Sequence, residues 1–155
     1  LASAFKLLPG VTISLNAQSC LTINAPAIGV EELETKDLAQ LIGEDQFLWK
    51  GRLDNVVLSG GLKLNPEELE QKIDLSENFI LAGRDHPNLG QELLLIIESD
   101  HPLDEQRKMA ALARLDRLER PKEILYLGSF IYTSNGKIKR PETLSQALAL
   151  RPNKG

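Results

Sequence analysis

The sequence predicts an α+β protein in which short antiparallel strands are followed by a small α+β domain with a central sheet and helices. The first fifty residues alternate apolar and polar side chains in short runs, which is typical of antiparallel strands with one covered face. After Gly51, apolar runs of strand length alternate with segments that begin with helix-starting residues. The pattern changes near Asp54, so we predict two domains, residues 1–53 and 54–155.

Two β-hairpins are expected in the first domain. Residues 11–15 and 21–23 alternate apolar and polar side chains on either side of a polar turn at 16–19. Residues 38–42 and 46–50 form a second strand pair around a Gly-Glu-Asp turn. We expect no helix in this domain.

The second domain should contain five strands, of which the third and fourth are joined by a loop that includes residues 85–88. These strands are expected at residues 55–58, 62–64, 78–82, 92–98 and 124–127.

Three helices are expected between these strands and after them. Asn65 can cap the first helix and Pro66 fits its first position, while Leu69 and Ile73 are spaced to share one face. The other two helices are expected over residues 102–120 and 141–150. The second helix has three apolar residues at helical spacing: Met109, Leu112 and Leu115.

The composition excludes several classes of function. The 155 residues include 18 basic and 22 acidic side chains, a net charge of −4, with 42% hydrophobic and 5% aromatic residues. Disorder and nucleic-acid binding are therefore not expected, and no apolar run reaches the roughly 18 residues of a membrane span. One cysteine, Cys20, favours a reducing compartment, so we expect a cytoplasmic protein. The only methionine is Met109, and we expect a lost initiator or a piece of a longer chain.

The first candidate site combines Gly-Arg-Leu-Asp at residues 51–54 with Ser-Gly-Gly-Leu-Lys at 59–63. Taken alone, it is better explained as a strand–turn–strand with a solvated Arg/Asp pair. A functional interpretation makes the paired glycines a surface that a ligand approaches closely. Both interpretations stay open at this point.

Two other clusters have similar alternatives. Residues 133–140, Thr-Ser-Asn-Gly-Lys-Ile-Lys-Arg, form a turn with solvated basic residues, or else present a lysine to a carboxylate or phosphate. Residues 34–37, Glu-Thr-Lys-Asp, place an aspartate where a strand should start, which is usually a turn or cap position, and only contact with a sugar hydroxyl or a cation would give it a role in a catalytic site. His86 and His101 lack further ligands at metal-binding spacing, so no metal site is expected, and Cys20 is more easily explained as a packed residue.

Together and in chain order, these clusters resemble the adenylate-forming superfamily, which includes acyl-CoA synthetases, luciferases and peptide-synthetase adenylation domains. That family has a Thr-Gly-Asp motif, a Gly-Arg-x-Asp hinge, a glycine pair with a basic residue, a Pro-x-Glu-[Ile/Leu/Val]-Glu helix and a Thr-x-x-Gly-Lys-[Ile/Val]-x-Arg loop. The corresponding segments here are 35–37, 51–54, 59–63, 66–70 and 133–140. The resemblance extends over about residues 8–145.

The resemblance implies that residues 1–53 are the last strands of a large adenylation domain, at the edge of its β-barrel. Residues 54–155 would be the mobile C-terminal domain with the catalytic lysine, and the upstream domain of the same polypeptide would be its partner. The implied activity is that of an ATP-dependent acid–thiol ligase, an AMP-forming acyl-CoA synthetase that makes an acyl-adenylate and then a thioester. ATP with Mg²⁺, coenzyme A and a small carboxylic acid would be substrates of the full enzyme, and this chain alone should be inactive.

The resemblance also implies a role for individual residues. Asp37 would accept hydrogen bonds from the ribose of ATP, and Arg52 would lie near the same ribose. Asp54 would be the hinge between two poses. Lys137 would be the catalytic residue, contacting the substrate carboxylate and the α-phosphate. In the second pose a loop would face the pantetheine arm of the thiol acceptor: Gly60, Gly61 and Lys63.

Some positions depart from the family pattern, since Lys36 replaces a glycine and Ile131 stands where many members have proline. The compact link between Pro9 and Asp37, together with residues 47–55, resembles the short bacterial o-succinylbenzoate–CoA ligases of menaquinone synthesis. The alternative is a stand-alone binding or regulatory module that kept the fold and lost the reaction.

Overall fold

The computed structural model describes residues 4–151, and the chain divides into two compact units, Leu1–Val56 and Val57–Gly155. The first unit is a five-stranded antiparallel sheet with the strand order β1-β5-β4-β3-β2. Its strands are β1 (Phe5–Lys6), β2 (Thr12–Leu15), β3 (Cys20–Ala25), β4 (Val30–Leu41) and β5 (Gln46–Arg52). Two single 3₁₀ turns, Pro26–Ile28 and Leu53–Asn55, add the only helical geometry among the described residues of this unit.

Both hairpins predicted for the first unit are present. The Asn16 side chain closes the β2–β3 turn, because its Oδ1 accepts hydrogen bonds from the amides of Gln18 and Cys20, each at 3.0 Å. Gly43 has φ +91° in the β4–β5 connection, a torsion that suits glycine. Strand β4 begins at Val30, earlier than expected, so the segment 35–37 lies inside the strand rather than at its start.

The second unit is built around a central buried strand. Its strands are β6 (Val57–Ser59), β7 (Leu62–Leu64), β8 (Phe79–His86), β9 (Gly90–Glu98) and β10 (Glu123–Leu127), and its helices are α1 (Pro66–Glu70), α2 (Glu105–Ala111) and α3 (Arg140–Ala149). Strand β9 pairs with β8 and β6 in antiparallel fashion and with β10 in parallel fashion. The predicted α+β class is therefore confirmed.

Two hydrophobic clusters cover the two faces of this sheet, since successive side chains of a strand point to opposite faces. Leu93, Leu95 and Ile97 of β9 pack in one cluster with Leu69 of α1. Their neighbours Leu94 and Ile96 pack in the other cluster, which also contains Ala147 of α3 and Phe130. Because both faces are covered, β9 reads as a continuous apolar run instead of an alternating one.

Several expected element bounds are wrong. Asn55 belongs to a 3₁₀ turn, so β6 begins only at Val57. Strand β8 continues to His86, because it pairs with β9 along its whole length, and the predicted loop shrinks to a tight connection. The Asn65 side chain does not cap α1, since its Nδ2 donates to Glu68 Oε2 at 2.7 Å. That helix ends at Glu70, so it does not include Ile73.

The second helix is also shorter than the apolar spacing predicted. Helix α2 begins after Asp104, whose Oδ1 accepts a hydrogen bond from the Arg107 amide at 2.8 Å. It ends at Ala111, where the carbonyl accepts a hydrogen bond from the Asp74 amide at 3.3 Å. Met109 is exposed, so the predicted apolar stripe is wrong at this position.

Candidate functional site

The first candidate cluster lies where β4 and β5 pair side by side. Asp37 and Arg52 are register partners, so their side chains leave the sheet next to each other. Asp37 Oδ1 accepts a hydrogen bond from Trp49 Nε1 at 3.2 Å and lies 3.6 Å from the Arg52 guanidinium. The Thr35 hydroxyl accepts from the Asp37 amide at 3.1 Å and donates to the Leu21 carbonyl at 2.8 Å. These contacts fix the position of a carboxylate that is still about one-third exposed.

Asp54 joins this cluster from the 3₁₀ turn that follows β5. Its carboxylate contacts Lys36 Nζ at 3.0 Å and the Arg52 guanidinium at 3.2 Å. The hydrogen bond from Lys36 is the largest cause of the lowered pKa of Asp54; burial acts in the opposite direction, and Arg52 lowers the pKa further. Lys36 therefore supplies a cation to the predicted hinge residue.

The second candidate cluster is the turn between β6 and β7, which we call the glycine hairpin (residues 57–64). Gly60 and Gly61 have φ values of +56° and +83°, which suit a two-residue hairpin turn. The Gly60 amide donates to the Leu89 carbonyl at 2.9 Å, so the turn is held against the β8–β9 connection. A side chain at Gly61 would meet no atom within 4 Å, so its backbone is open to approach. Lys63 is exposed and lies beside an open depression of about 730 Å³.

Lys137 lies at the tip of a third structure, which we call the lysine hairpin (residues 131–139). Its arms meet at an isolated antiparallel bridge between Tyr132 and Ile138. The Thr133 amide donates to the Lys137 carbonyl at 2.7 Å, and the Thr133 hydroxyl accepts from the Lys137 amide at 3.0 Å. Gly136 has φ +80° and closes the turn. Among residues 4–151 no partner engages the exposed Lys137 ammonium, so an ordered backbone presents a free cation.

An ion pair that was not predicted connects the start of α3, directly after the lysine hairpin, to α1. Arg140, the first residue of α3, contacts both carboxylate oxygens of Glu70, at 2.6 and 2.7 Å, and donates to the Leu81 carbonyl at 2.9 Å. Burial lowers the pKa of Arg140, but the hydrogen bonds and charge of Glu70 outweigh it and the net pKa is raised. Both residues are part of the motifs quoted above, yet their pairing over 70 residues leaves no local signal in the sequence.

The predicted site residues therefore fall into two groups. Asp37, Arg52 and Asp54 form one cluster in the first unit. The remaining residues lie in the second unit, on the glycine hairpin and the lysine hairpin. Trp49, whose indole fixes Asp37, was overlooked because a tryptophan in an alternating strand looks like an ordinary packed residue.

The residues set aside in the sequence have ordinary surroundings. Cys20 is buried in β3. His86 Nδ1 accepts a hydrogen bond from the Asn88 amide at 3.2 Å, and His101 is exposed in the segment before α2. Within the described part of the chain, no group of three or more metal-ligating side chains is arranged to hold an ion. Residues 4–151 also include no helix that is long and apolar enough to span a membrane.

Comparison with known proteins identifies the fold. No protein-family model matches the sequence, and neither does any curated protein. Among solved structures, an acyl-CoA synthetase (AMP-forming)/AMP-acid ligase II-like protein from Dyadobacter fermentans is 29% identical, with a TM-score of 0.59 over 93% of this chain and 43% of its own. ATP-bound MatB from Rhodopseudomonas palustris is 16% identical, with a TM-score of 0.72 over 93% of this chain and 35% of its own.

A third solved structure is o-succinylbenzoate CoA synthetase (MenE) from Bacillus subtilis, in complex with its acyl-adenylate intermediate. It is 15% identical, with a TM-score of 0.74 over 96% of this chain and 35% of its own. The chain thus spans less than half the length of these proteins. The resemblance predicted from the motifs is confirmed, because the fold matches the small C-terminal domain of adenylate-forming enzymes.

Proposed function

We propose that this chain, which has the fold found at the C-terminal end of AMP-forming acyl-CoA synthetases, is part of an ATP-dependent acid–thiol ligase. The observation that carries the proposal is the free Lys137 ammonium at the tip of an ordered hairpin, within the family's Gly-Lys motif. In the proposed reaction a carboxylate oxygen attacks the α-phosphorus of ATP, and the bond to pyrophosphate breaks. A thiol sulfur then attacks the acyl carbon of the adenylate, loses its proton and releases AMP.

Lys137 would act in the first of these steps. Carboxylate and α-phosphate are both anions, so their approach is unfavourable unless a cation lies between them. A lysine ammonium is a compact point charge on a flexible stem, and it can contact both groups from a fixed backbone. Because the Lys137 ammonium has no partner within residues 4–151, no ion pair has to break before it binds substrate. Lys137 would therefore stabilise charge that is redistributed in the transition state.

The Asp37 cluster would bind the nucleotide. Trp49 and Arg52 both approach Oδ1 of Asp37, so the carboxylate is oriented before ligand binds. Vicinal ribose hydroxyls are donors that suit an acceptor-only carboxylate, and Arg52 would lie near the same ribose. Asp54 would be the hinge residue, whose backbone torsions change between the two half-reactions. Its contacts with Lys36 and Arg52 would then favour one of the two states.

The glycine hairpin would face the thiol acceptor in the second half-reaction. The open backbone at Gly61 gives a narrow pantetheine arm space to pass, and Lys63 adds a cation nearby. ATP with Mg²⁺, coenzyme A and a small carboxylic acid would be the substrates of the complete enzyme, in the cytoplasm. The fold likeness to MenE and the compact spacing before Asp37 make o-succinylbenzoate, and thus menaquinone synthesis, our proposal for the acid.

The test is carboxylate-dependent ATP–pyrophosphate exchange, measured in the natural polypeptide that contains these residues. Replacing Lys137 by alanine should lower the exchange rate by roughly 10²-fold or more, as expected when a transition-state charge contact is lost. Lys139→Ala is the matched control, because it removes an exposed lysine from the same hairpin and should leave exchange within about twofold. Equal rates for Lys137→Ala and the parent would overturn the proposal and favour the non-catalytic module.

A further inference from the structure

A carboxylate that the proposed reaction does not use lies at the base of the lysine hairpin. Glu98 is the last residue of β9, directly after the fully buried Ile97. Its Oε1 accepts a hydrogen bond from the Phe130 amide at 2.7 Å. Its Oε2 accepts from the Tyr132 hydroxyl and from Asn78 Nδ2, each at 2.7 Å. The Glu98 side chain thus accepts three hydrogen bonds. One comes from Tyr132 in the outgoing arm of the hairpin, and one comes from Phe130, the residue just before that arm.

The chemistry of this cluster requires an ionised carboxylate. Partial burial raises the pKa of Glu98, but the hydrogen bonds from Phe130, Asn78 and Tyr132 outweigh burial, and the net pKa is lowered. At neutral pH Glu98 is therefore a pure acceptor, which matches three donors. The Tyr132 hydroxyl donates to Glu98 while it accepts from Asn78 Nδ2 at 3.2 Å, so the carboxylate, the hydroxyl and the amide nitrogen are joined in one network.

The returning arm of the hairpin is held by the outgoing arm and by α3. The Lys139 amide donates to the Ile131 carbonyl at 2.8 Å, and its own carbonyl accepts from the amide of the fully buried Thr143 at 2.9 Å. The next residue, Arg140, forms the ion pair with Glu70. Both arms are thus tied to the sheet and α1, while the tip is tied only to itself. In the outgoing arm the Ile131 amide also donates to Thr143 Oγ1 at 3.3 Å and the Phe130 ring is buried, so Glu98 is one anchor of that arm and the one that carries a charge.

We propose that Glu98 is a positioning residue for Lys137. Through its hydrogen bonds with Tyr132 and the Phe130 backbone, Glu98 fixes the position and orientation of the lysine hairpin relative to the sheet. This inference rests on the proposed function, since it assumes that Lys137 meets a substrate. Glu98 itself touches no substrate and transfers no proton. It connects the buried central strand β9 to the hairpin that presents the exposed Lys137.

The structural part of the inference is tested by amide hydrogen exchange in the 155-residue chain. Glu98→Gln keeps the size of the side chain but removes the charge and gives it a donor that opposes the Asn78 amide group. Exchange at the Phe130 and Lys137 amides should become at least tenfold faster, as expected for the loss of roughly one charged hydrogen bond. Glu77→Gln is the matched control, because Glu77 pairs with Arg107 at 2.7 Å outside the hairpin. Unchanged exchange at both amides in Glu98→Gln would overturn the anchor.

The functional part is tested by pyrophosphate exchange in the natural polypeptide. Misplacing a catalytic group by about 1 Å costs up to roughly 10²-fold, so Glu98→Gln should lower kcat about 10- to 100-fold. The KM for ATP should change less than about threefold, because the nucleotide contacts lie elsewhere. Tyr132→Phe removes one hydroxyl from an exposed ring and should give a smaller loss in the same direction. If Glu98→Gln does not fold, Tyr132→Phe decides, and a normal kcat in that variant would overturn the inference.

Combining variants separates this inference from the proposed function. In the Lys137→Ala background, Glu98→Gln should cause no further loss of kcat, since the group that it positions is gone. If the two losses multiply instead, Glu98 acts independently of the lysine and the inference is wrong although the proposed function stands. If Lys137→Ala alone leaves exchange unchanged, the proposed function fails, and the positioning role fails with it.

Discussion

Breaking the ion pair between Arg140 and Glu70 is the perturbation whose cost can best be worked out from the structure. The guanidinium contacts both carboxylate oxygens, at 2.6 and 2.7 Å, and the two side chains are only 19% and 17% exposed. Arg140→Met keeps an unbranched apolar stem but removes the guanidinium, which leaves Glu70 with the Leu81 amide as its remaining hydrogen-bond donor at 2.7 Å. Removing one partner of a buried pair costs about 3–5 kcal/mol. Since this pair is about one-fifth exposed and Glu70 keeps one donor, we expect a loss of about 2–4 kcal/mol.

The assay is urea unfolding of the 155-residue chain at pH 7, followed by circular dichroism. Arg107→Met is the matched control, because Arg107 contacts Glu77 at the same 2.7 Å but is 49% exposed, and exposed pairs contribute only about 0–1 kcal/mol. In the double variant Arg140→Met/Glu70→Gln, the loss should be smaller than the sum of the single losses by at least about 1 kcal/mol. A cost for Arg140→Met no larger than that for Arg107→Met would refute the reasoning.

Three further predictions concern the acid limb of stability, the hinge and the glycine hairpin. The folded pKa of Glu98 is below its ordinary 4.5, so its contribution to the free energy of unfolding is present above pH 4.5 and is lost as the pH falls through the folded pKa. In urea unfolding between pH 7 and 3, the free energy of unfolding should therefore fall less steeply in Glu98→Gln than in the parent. Asp54→Pro fixes φ near −65° and should slow the adenylation and thioester steps unequally in the natural polypeptide, and equal slowing would contradict the hinge role. Gly61→Ala meets no atom within 4 Å but has to adopt φ +83°, which should cost roughly 1–2 kcal/mol in urea unfolding, and a neutral result would show that the turn relaxes.

Local patterns in the sequence were sufficient for most of the fold. The hairpins of the first unit follow from period-two alternation and polar turns, and the start of α1 follows from the proline at its first position. The ends of α1 and α2 could not be predicted in this way. Helix α2 stops where the Ala111 carbonyl meets the Asp74 amide, a contact between distant segments that no local propensity contains.

The residues of the candidate site also differ in whether local sequence or long-range contacts determine them. Glycines at positive φ and a lysine after a turn glycine are local features, so Gly60, Gly61 and Lys137 could be singled out from the sequence. The groups that hold them in place act over long separations, as Arg140 and Glu70 do, or Tyr132 and Glu98. A resemblance in motifs identifies the residues at the tip of a hairpin, whereas the three-dimensional structure is needed to identify the contacts that hold the hairpin in place.

The central claim is that Lys137 serves the adenylation step alone, and the most direct measurement compares the two half-reactions in Lys137→Ala. The natural polypeptide is given either the free acid with ATP or the preformed acyl-adenylate with coenzyme A, and thioester formation is followed in both cases. We expect a loss of roughly 10²-fold or more from the free acid, while the rate from the acyl-adenylate stays within about threefold of the parent. Equal loss in both reactions, or no loss in either, would contradict it.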